Sequence, residues 1–158
     1  MRRIYLDHNA TTPLDPRVLD AMLPFFSKDF GNAASTSHVF GWQARSAVEE
    51  ARVVIAQAIR AAQDHELVFT SGATESINLA LKGLQPEPGK HHIVTSQIEH
   101  KAVLDSCGYL EQHGRDVTYV GVDATGRIDL DQLASAIDDR TYLVSIMLAN
   151  NETGIVQD

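Results

Sequence analysis

Three short runs of small polar or titratable residues each follow an apolar run. Ser71-Gly72-Ala73-Thr74 follows Leu67-Val68-Phe69, Glu99-His100 lies just past the run His92–Thr95, and Asn150-Asn151-Glu152 lies just past Tyr142–Leu148. The first run suits an anion. In sheets flanked by helices, ligands collect beyond the carboxyl ends of the strands. A helix start there offers N–H groups without intrahelical partners and the positive end of the helix dipole. Small residues let a phosphate approach the backbone, and Ser and Thr add hydroxyl donors. A capped helix after a tight turn is the plainer reading of the same corner, and it stays open at this point. The pattern is neither a Walker loop nor Gly-x-Gly-x-x-Gly, so nucleotide triphosphates and dinucleotides lack their usual signature.

His100 could serve as an acid/base group or as a flat stacking surface. A polar residue at a helix start is the alternative. The Asn150-Asn151 pair could be turn chemistry alone. Three such clusters at successive strand ends argue for a shared site more than any one of them does. No metal is expected: none of the seven histidines stands in a His-x-x-x-His or His-x-Glu…Cys-x-x-Cys arrangement. Cys107 falls on the Val103, Cys107, Leu110 stripe of a helix, which favours a buried structural thiol over a nucleophile. No Gly-x-Ser-x-Gly elbow is present for a hydrolase.

The elements that must position these residues follow from periodicity. Asp15 can cap a helix with Pro16 in its first turn and Val18, Leu19, Met22, Leu23 and Phe26 on one face; Pro24 is expected to kink or end it. A long amphipathic helix is expected over about Ser37 to Ala61. Alternation then sets in: a strand over Glu66–Thr70, a helix over Thr74–Leu84, a strand over His92–Thr95 and a helix over Lys101–Gln112 ended by Gly114. A strand over Asp116–Val120 follows, then a helix capped by Asp129 with Gln132 placed for a capping box, and a strand over Tyr142–Leu148 apolar enough to be covered on both faces. Four strands separated by helices predict an α/β sheet of largely parallel character.

Composition narrows the function. The chain has 158 residues, 44% hydrophobic and 22% charged, with a formal net charge of −8 and a pI near 5.2, so a nucleic-acid surface is not expected. A single cysteine excludes an intrachain disulfide and a Cys-based structural zinc site, and a reducing compartment is the simplest reading. Asp7 interrupts any signal-peptide apolar region after Met1-Arg2-Arg3, and the most apolar stretch, Tyr142 to Ala149, is too short to span a bilayer. The expectation is a cytoplasmic protein without a membrane partner. The last residues, with a strand starting at Ile155-Val156 and Asp158 following at once, read as a truncation.

Taken together, "YLDHNATTPLDPRV", "FGNAASTSHVFGWQA", "VFTSGATESINLALKG", "TSQIEHKAVLD" and "LVSIMLANNETGIVQ" resemble the NifS/IscS-type cysteine desulfurases, class V members of the fold-type-I pyridoxal-phosphate enzymes. The blocks run in the family's order from Tyr5 to Asp158. The resemblance implies a three-layer α/β/α fold with a mostly parallel sheet. Residues 1–15 would be an N-terminal segment and 16–158 an incomplete cofactor-binding large domain. It also implies pyridoxal 5'-phosphate as cofactor, with Ala73 and Thr74 at its phosphate, His100 stacked on its ring and moving protons, and Asn151 bonded to its phenolic oxygen. The implied reaction takes sulfur from L-cysteine, gives alanine, and leaves a persulfide on the enzyme for iron–sulfur cluster or thionucleotide synthesis. Implied partners are a second copy, in a homodimer, and sulfur-acceptor or iron–sulfur scaffold proteins.

The family's cofactor-anchoring lysine, pyridine-paired aspartate, substrate-carboxylate arginine and persulfide cysteine belong to later motifs. Lys28, Lys82, Lys90 and Lys101 do not stand in the lysine's context. Leu148 replaces a frequent histidine and Ala33 a frequent proline. The chain as given is therefore expected to be inactive alone. Other class V enzymes, such as a selenocysteine lyase or a kynureninase-like protein, are the alternative, as is a non-catalytic anion-binding module if the chain truly ends at Asp158.

Overall fold

A computed structural model describes residues 3–157. Met1, Arg2 and Asp158, on which the readings of the two chain ends partly rest, lie outside the described residues. The chain forms two compact units, divided between Phe69 and Thr70.

The first unit holds two helices, α1 (Pro16–Ser27) and α2 (Val39–Ala58). Asp15 caps α1 by accepting from the Arg17 N–H at 2.8 Å, and Pro16 stands at the first position as predicted. Pro24 does not end the helix, which runs on to Ser27. So close to the C-terminus it removes one intrahelical bond only, and its own carbonyl accepts from Lys28 and Asp29, both at 2.8 Å. The predicted apolar face of α1 is open: Val18, Leu19, Met22, Leu23 and Phe26 are each more than 40% exposed.

Helix α2 starts later and stops earlier than its periodicity suggests. His38 caps its start through Nδ1, which accepts from the Gly41 N–H at 3.2 Å. Its end is set by Arg60, which takes a left-handed φ of 58° and closes a Schellman motif through Arg60 N–H to Gln57 O and Ala61 N–H to Ala56 O.

No strand forms over Glu66–Thr70. Asp64–Glu66 is one 3-10 turn. The Leu67 carbonyl accepts from the Arg52 guanidinium, and the Glu66 carboxylate takes the Ala62 N–H at 3.1 Å. A side chain thus takes the Leu67 carbonyl, which a neighbouring strand would have served, and a strand needs a partner to form a ladder.

The second unit contains α3 (Ala73–Gly83), β1 (His92–Ser96), α4 (Lys101–Gln112), β2 (Asp116–Val120), α5 (Leu130–Ala136) and β3 (Thr141–Ser145). The three strands form a parallel sheet in the order β2-β1-β3. Central β1 is buried at all five residues, and its alternation splits the core. Ile93 packs with Leu81 of α3 and Val103, Cys107 and Leu110 of α4, while Val94 packs with Val120 and Ile128, against which Leu133 and Ala136 of α5 lie. This is the expected α/β/α arrangement, with α3 and α4 on one face of a parallel sheet and α5 on the other.

Helix α4 ends on a second Schellman motif. Gly114 adopts φ 84°, with Gly114 N–H to Glu111 O and Arg115 N–H to Leu110 O. Asp129 caps α5 by accepting from Gln132 N–H at 2.9 Å. The predicted capping box is only half formed, because the Gln132 carboxamide oxygen instead accepts from the Gly121 N–H at 2.6 Å, tying α5 to the end of β2. Strand β3 is shorter than its apolar run and only half-buried, with Val144 exposed, because it is an outer strand of the sheet. At the far end of the sheet, buried His92 spans all three strands, its ring nitrogens 2.9 Å from the hydroxyls of Thr118 in β2 and Thr141 in β3.

Candidate functional site

The chain leaves β1 through α4 on one face of the sheet and enters neighbouring β3 through α5 on the other. That makes the carboxyl ends of β1 and β3 a topological switch point, where α/β sheets open a crevice. A cavity of about 380 Å3 lies there, lined by residues 97–101 and 150–153.

Two pairs of neighbouring residues build it, each with one buried and one exposed member. In the turn after β1, Glu99 is 7% exposed, and its Oε1 accepts from the Ser96 hydroxyl at 3.0 Å and from the Met147 N–H at 2.6 Å. Beside it, His100 is exposed on the cavity and caps α4. Its Nδ1 accepts from the Ala102 N–H at 3.1 Å, which puts the ring proton of the neutral imidazole on Nε2.

In the turn after β3, Asn150 is 7% exposed. Its Nδ2 donates to Ile98 O at 2.9 Å, and its Oδ1 accepts from the N–H groups of Glu152 and Thr153, both at 2.9 Å. Beside it, Asn151 is exposed on the cavity. An antiparallel bridge between Ala149 and Val156 closes this turn from behind, with Gly154 at φ 75°.

Ala73 and Thr74 open α3 and are exposed. They are not among the residues lining this cavity, which brings together His100 and Asn151. Gly72 at the cap has an extended backbone, and a Cβ added to it would meet nothing within 4 Å. Glu75 turns back from the first turn: its Oε2 accepts from Ser71 N–H at 2.7 Å and from the Ser71 hydroxyl at 2.5 Å. Those bonds hold its carboxyl below the ordinary carboxylate range. The N–H groups of Ala73 and Thr74 themselves have no intrahelical acceptor, as at any helix start.

The remaining candidates fall elsewhere. Cys107 is fully buried, and burial, with Glu111 and Glu99 nearby, pushes its thiol up to about 11, so it is no nucleophile at neutral pH. Lys101 pairs with Asp105 one turn on, at 2.7 Å, and Lys82 lies 4.3 Å from the centre of the Tyr109 ring. Among the described residues, no group of three or more His, Cys, Asp or Glu is placed to hold a metal ion, and no helix is long and apolar enough to cross a membrane. The sequence marked Glu99 and Asn150 as polar neighbours of the site but not as its buried ties. Nothing in residue type separates Asn150 from Asn151.

Residues 4–158 match the aminotransferase class-V family. A cysteine desulfurase IscS of Rickettsia bellii is 56% identical over 156 residues, 98% of this chain and 38% of the relative. The chain thus spans under two-fifths of the length of the curated relatives it matches. Among solved structures, a NifS-like protein superposes with a TM-score of 0.91 at 42% identity, over 99% of this chain and 43% of that one. SspA in complex with cysteine superposes with a TM-score of 0.89 at 44% identity, over 97% and 44%. By fold, by the ordered sequence blocks and by a match along nearly all its length, the chain belongs to the class V aminotransferase family.

Proposed function

We propose that this chain carries part of the cofactor seat of a cysteine desulfurase, in which residues 16–158 belong to the large domain. The whole protein would take sulfur from L-cysteine, release alanine, and hold the sulfur as an enzyme persulfide for iron–sulfur cluster or thionucleotide synthesis. The observation that carries this reading is the opening of His100 and Asn151 onto one cavity at the β1/β3 switch point, in a chain whose relatives bear that name. A neighbour described in complex with cysteine favours cysteine as the substrate.

The residues present fit pyridoxal 5'-phosphate. Nothing stands within 4 Å of a Cβ added at Gly72, so the start of α3 is open to a phosphate. Glu75 is engaged with Ser71, which leaves the N–H groups of Ala73 and Thr74 and the Thr74 hydroxyl as donors. Bound there, the cofactor supplies an electron sink for bonds made and broken on the amino acid. His100 offers a flat ring with its movable proton on Nε2, held in orientation by the Ala102 N–H. Asn151 offers a carboxamide donor to a phenolic oxygen.

The chain alone is expected to give no turnover, since none of its lysines stands in the anchoring context. A cytoplasmic homodimer that hands sulfur to acceptor or scaffold proteins is the expected setting. The test is titration of pyridoxal 5'-phosphate into the chain, followed by its absorbance, for the parent and for Thr74→Ala, His100→Ser and Asn151→Ala. Binding as tight in all three variants as in the parent would end this assignment.

A further inference from the structure

We infer that Glu99 and Asn150 are positioning residues that set His100 and Asn151 against each other. The inference uses the function proposed above only to choose its ligand probe. Parallel strands have no hairpin to join their ends, so the turns after β1 and β3 need other ties. Two side-chain hydrogen bonds cross between them. Glu99, from the first turn, reaches the Met147 N–H at 2.6 Å; Asn150, from the second, reaches Ile98 O at 2.9 Å. In both, the turn after β3 donates and the turn after β1 accepts, but the side chain comes once from each turn, each time from the immediate neighbour of an exposed cavity residue. A displacement of Glu99 therefore moves His100, and a displacement of Asn150 moves Asn151.

The choice of residue supports a positional role. A carboxylate 7% exposed is costly to desolvate, and an apolar residue would fill the space more cheaply. What an apolar residue cannot do is accept at once from a hydroxyl at the end of β1 and from an N–H just past β3. Glu99 Oε1 does both, through Ser96 and Met147. Asn150 likewise uses both ends of its carboxamide, Nδ2 across the gap and Oδ1 on the N–H groups of Glu152 and Thr153. Bonds with a charged partner are also shorter and more directional than neutral ones.

The test uses the 158-residue chain with two readouts: amide hydrogen exchange, and affinity for pyridoxal 5'-phosphate. Glu99→Ala is expected to speed exchange at Met147 by about tenfold and to weaken the ligand by a similar factor, the worth of one hydrogen bond to a charged group. Exchange at Ile93 and Val94 in β1 is expected to stay as in the parent. Glu99→Gln keeps an acceptor oxygen in place and is expected to restore both readouts to within about threefold. Asn150→Ala is expected to act in the same way on Thr153. Parent-like exchange at Met147 in Glu99→Ala, or a Glu99→Gln as impaired as Glu99→Ala, overturns the inference. Should Glu99→Ala lose protection in β1 as well, Ser96→Ala decides. It removes one of the two donors, and unmoved Met147 exchange in it overturns the inference. A parent chain that does not bind the ligand refutes the proposed function instead, and the exchange pattern with its Glu99→Gln rescue then decides the positioning role alone.

Discussion

Replacing His100 tests two roles that its position combines, and the structure separates them. The ring faces the cavity, and its Nδ1 also caps α4 by accepting from the Ala102 N–H at 3.1 Å. His100→Ala removes both. The lost cap costs about 1 kcal/mol, close to a fivefold increase in the unfolding equilibrium constant. With a urea slope near 2 kcal/mol/M, the unfolding midpoint should fall by about 0.5 M. The side chain is exposed, so little apolar burial is lost in addition. His100→Ser removes the ring but supplies a better capping group, and its midpoint should match or exceed the parent's. Both variants should lose affinity for pyridoxal 5'-phosphate alike, since neither offers a ring to stack. Urea unfolding followed by circular dichroism, with the ligand titrated separately, gives both numbers. Equal midpoints for His100→Ala and His100→Ser would refute the cap, and parent-like affinity in the folded His100→Ser would refute the stacking role.

Three further outcomes follow from the packing. The Cys107 thiol, pushed up from 9.0 to about 11 in the folded chain, keeps its proton after the unfolded thiol has lost its own; stability should fall as pH rises between those values, and the difference in urea midpoint between parent and Cys107→Ala should shrink over that range, whereas a constant difference would refute it. The two Schellman motifs predict opposite signs: Gly114→Ala forces a side chain into φ 84° and should cost about 1 kcal/mol, while Arg60→Gly relieves a side chain at φ 58° and should gain somewhat less, both read from thermal midpoints. Ile93→Ala empties the fully buried centre of the sheet and should cost about 2–5 kcal/mol in urea unfolding, with a cost under 1 kcal/mol refuting that placement of the core.

Elements whose signals are local were legible in the sequence. Helix α4 and strand β2 have the predicted limits, because a capping residue opens the one, Gly114 ends it, and β2 begins two residues further on. Where an outcome depends on distant partners, the sequence was silent or misleading. Val68-Phe69-Thr70 has strand composition, yet it forms no strand, since strand formation needs a ladder partner that local composition does not supply. The apolar run from Tyr142 to Leu148 suggested a strand covered on both faces, but its place outside β1 in the sheet is set by topology, which no local pattern carries. The site divides in the same way. The placement of His100 and Asn151 just beyond strand ends was legible, and both line one cavity. Glu99 and Asn150 carry the same chemical types, and their burial is fixed by backbone groups 48 and 52 residues away.

That dependence also explains why β3 stops where it does. After Ser145 the apolar sequence continues through Ile146, Met147 and Leu148, and nothing in residue type forbids more ladder. The Met147 N–H instead donates to the Glu99 carboxylate, and the Leu148 carbonyl accepts from Gln157 N–H at 2.8 Å. Donor and acceptor thus leave the sheet on successive residues, and the chain turns away from β1 at the point where the cavity begins. A longer β3 paired with β1 would withdraw the Met147 N–H from Glu99. The end of the strand and the buried carboxylate of Glu99 thus meet at the hydrogen bond that opens onto the crevice. Amide exchange at Met147 accordingly reports on the site as directly as on the sheet.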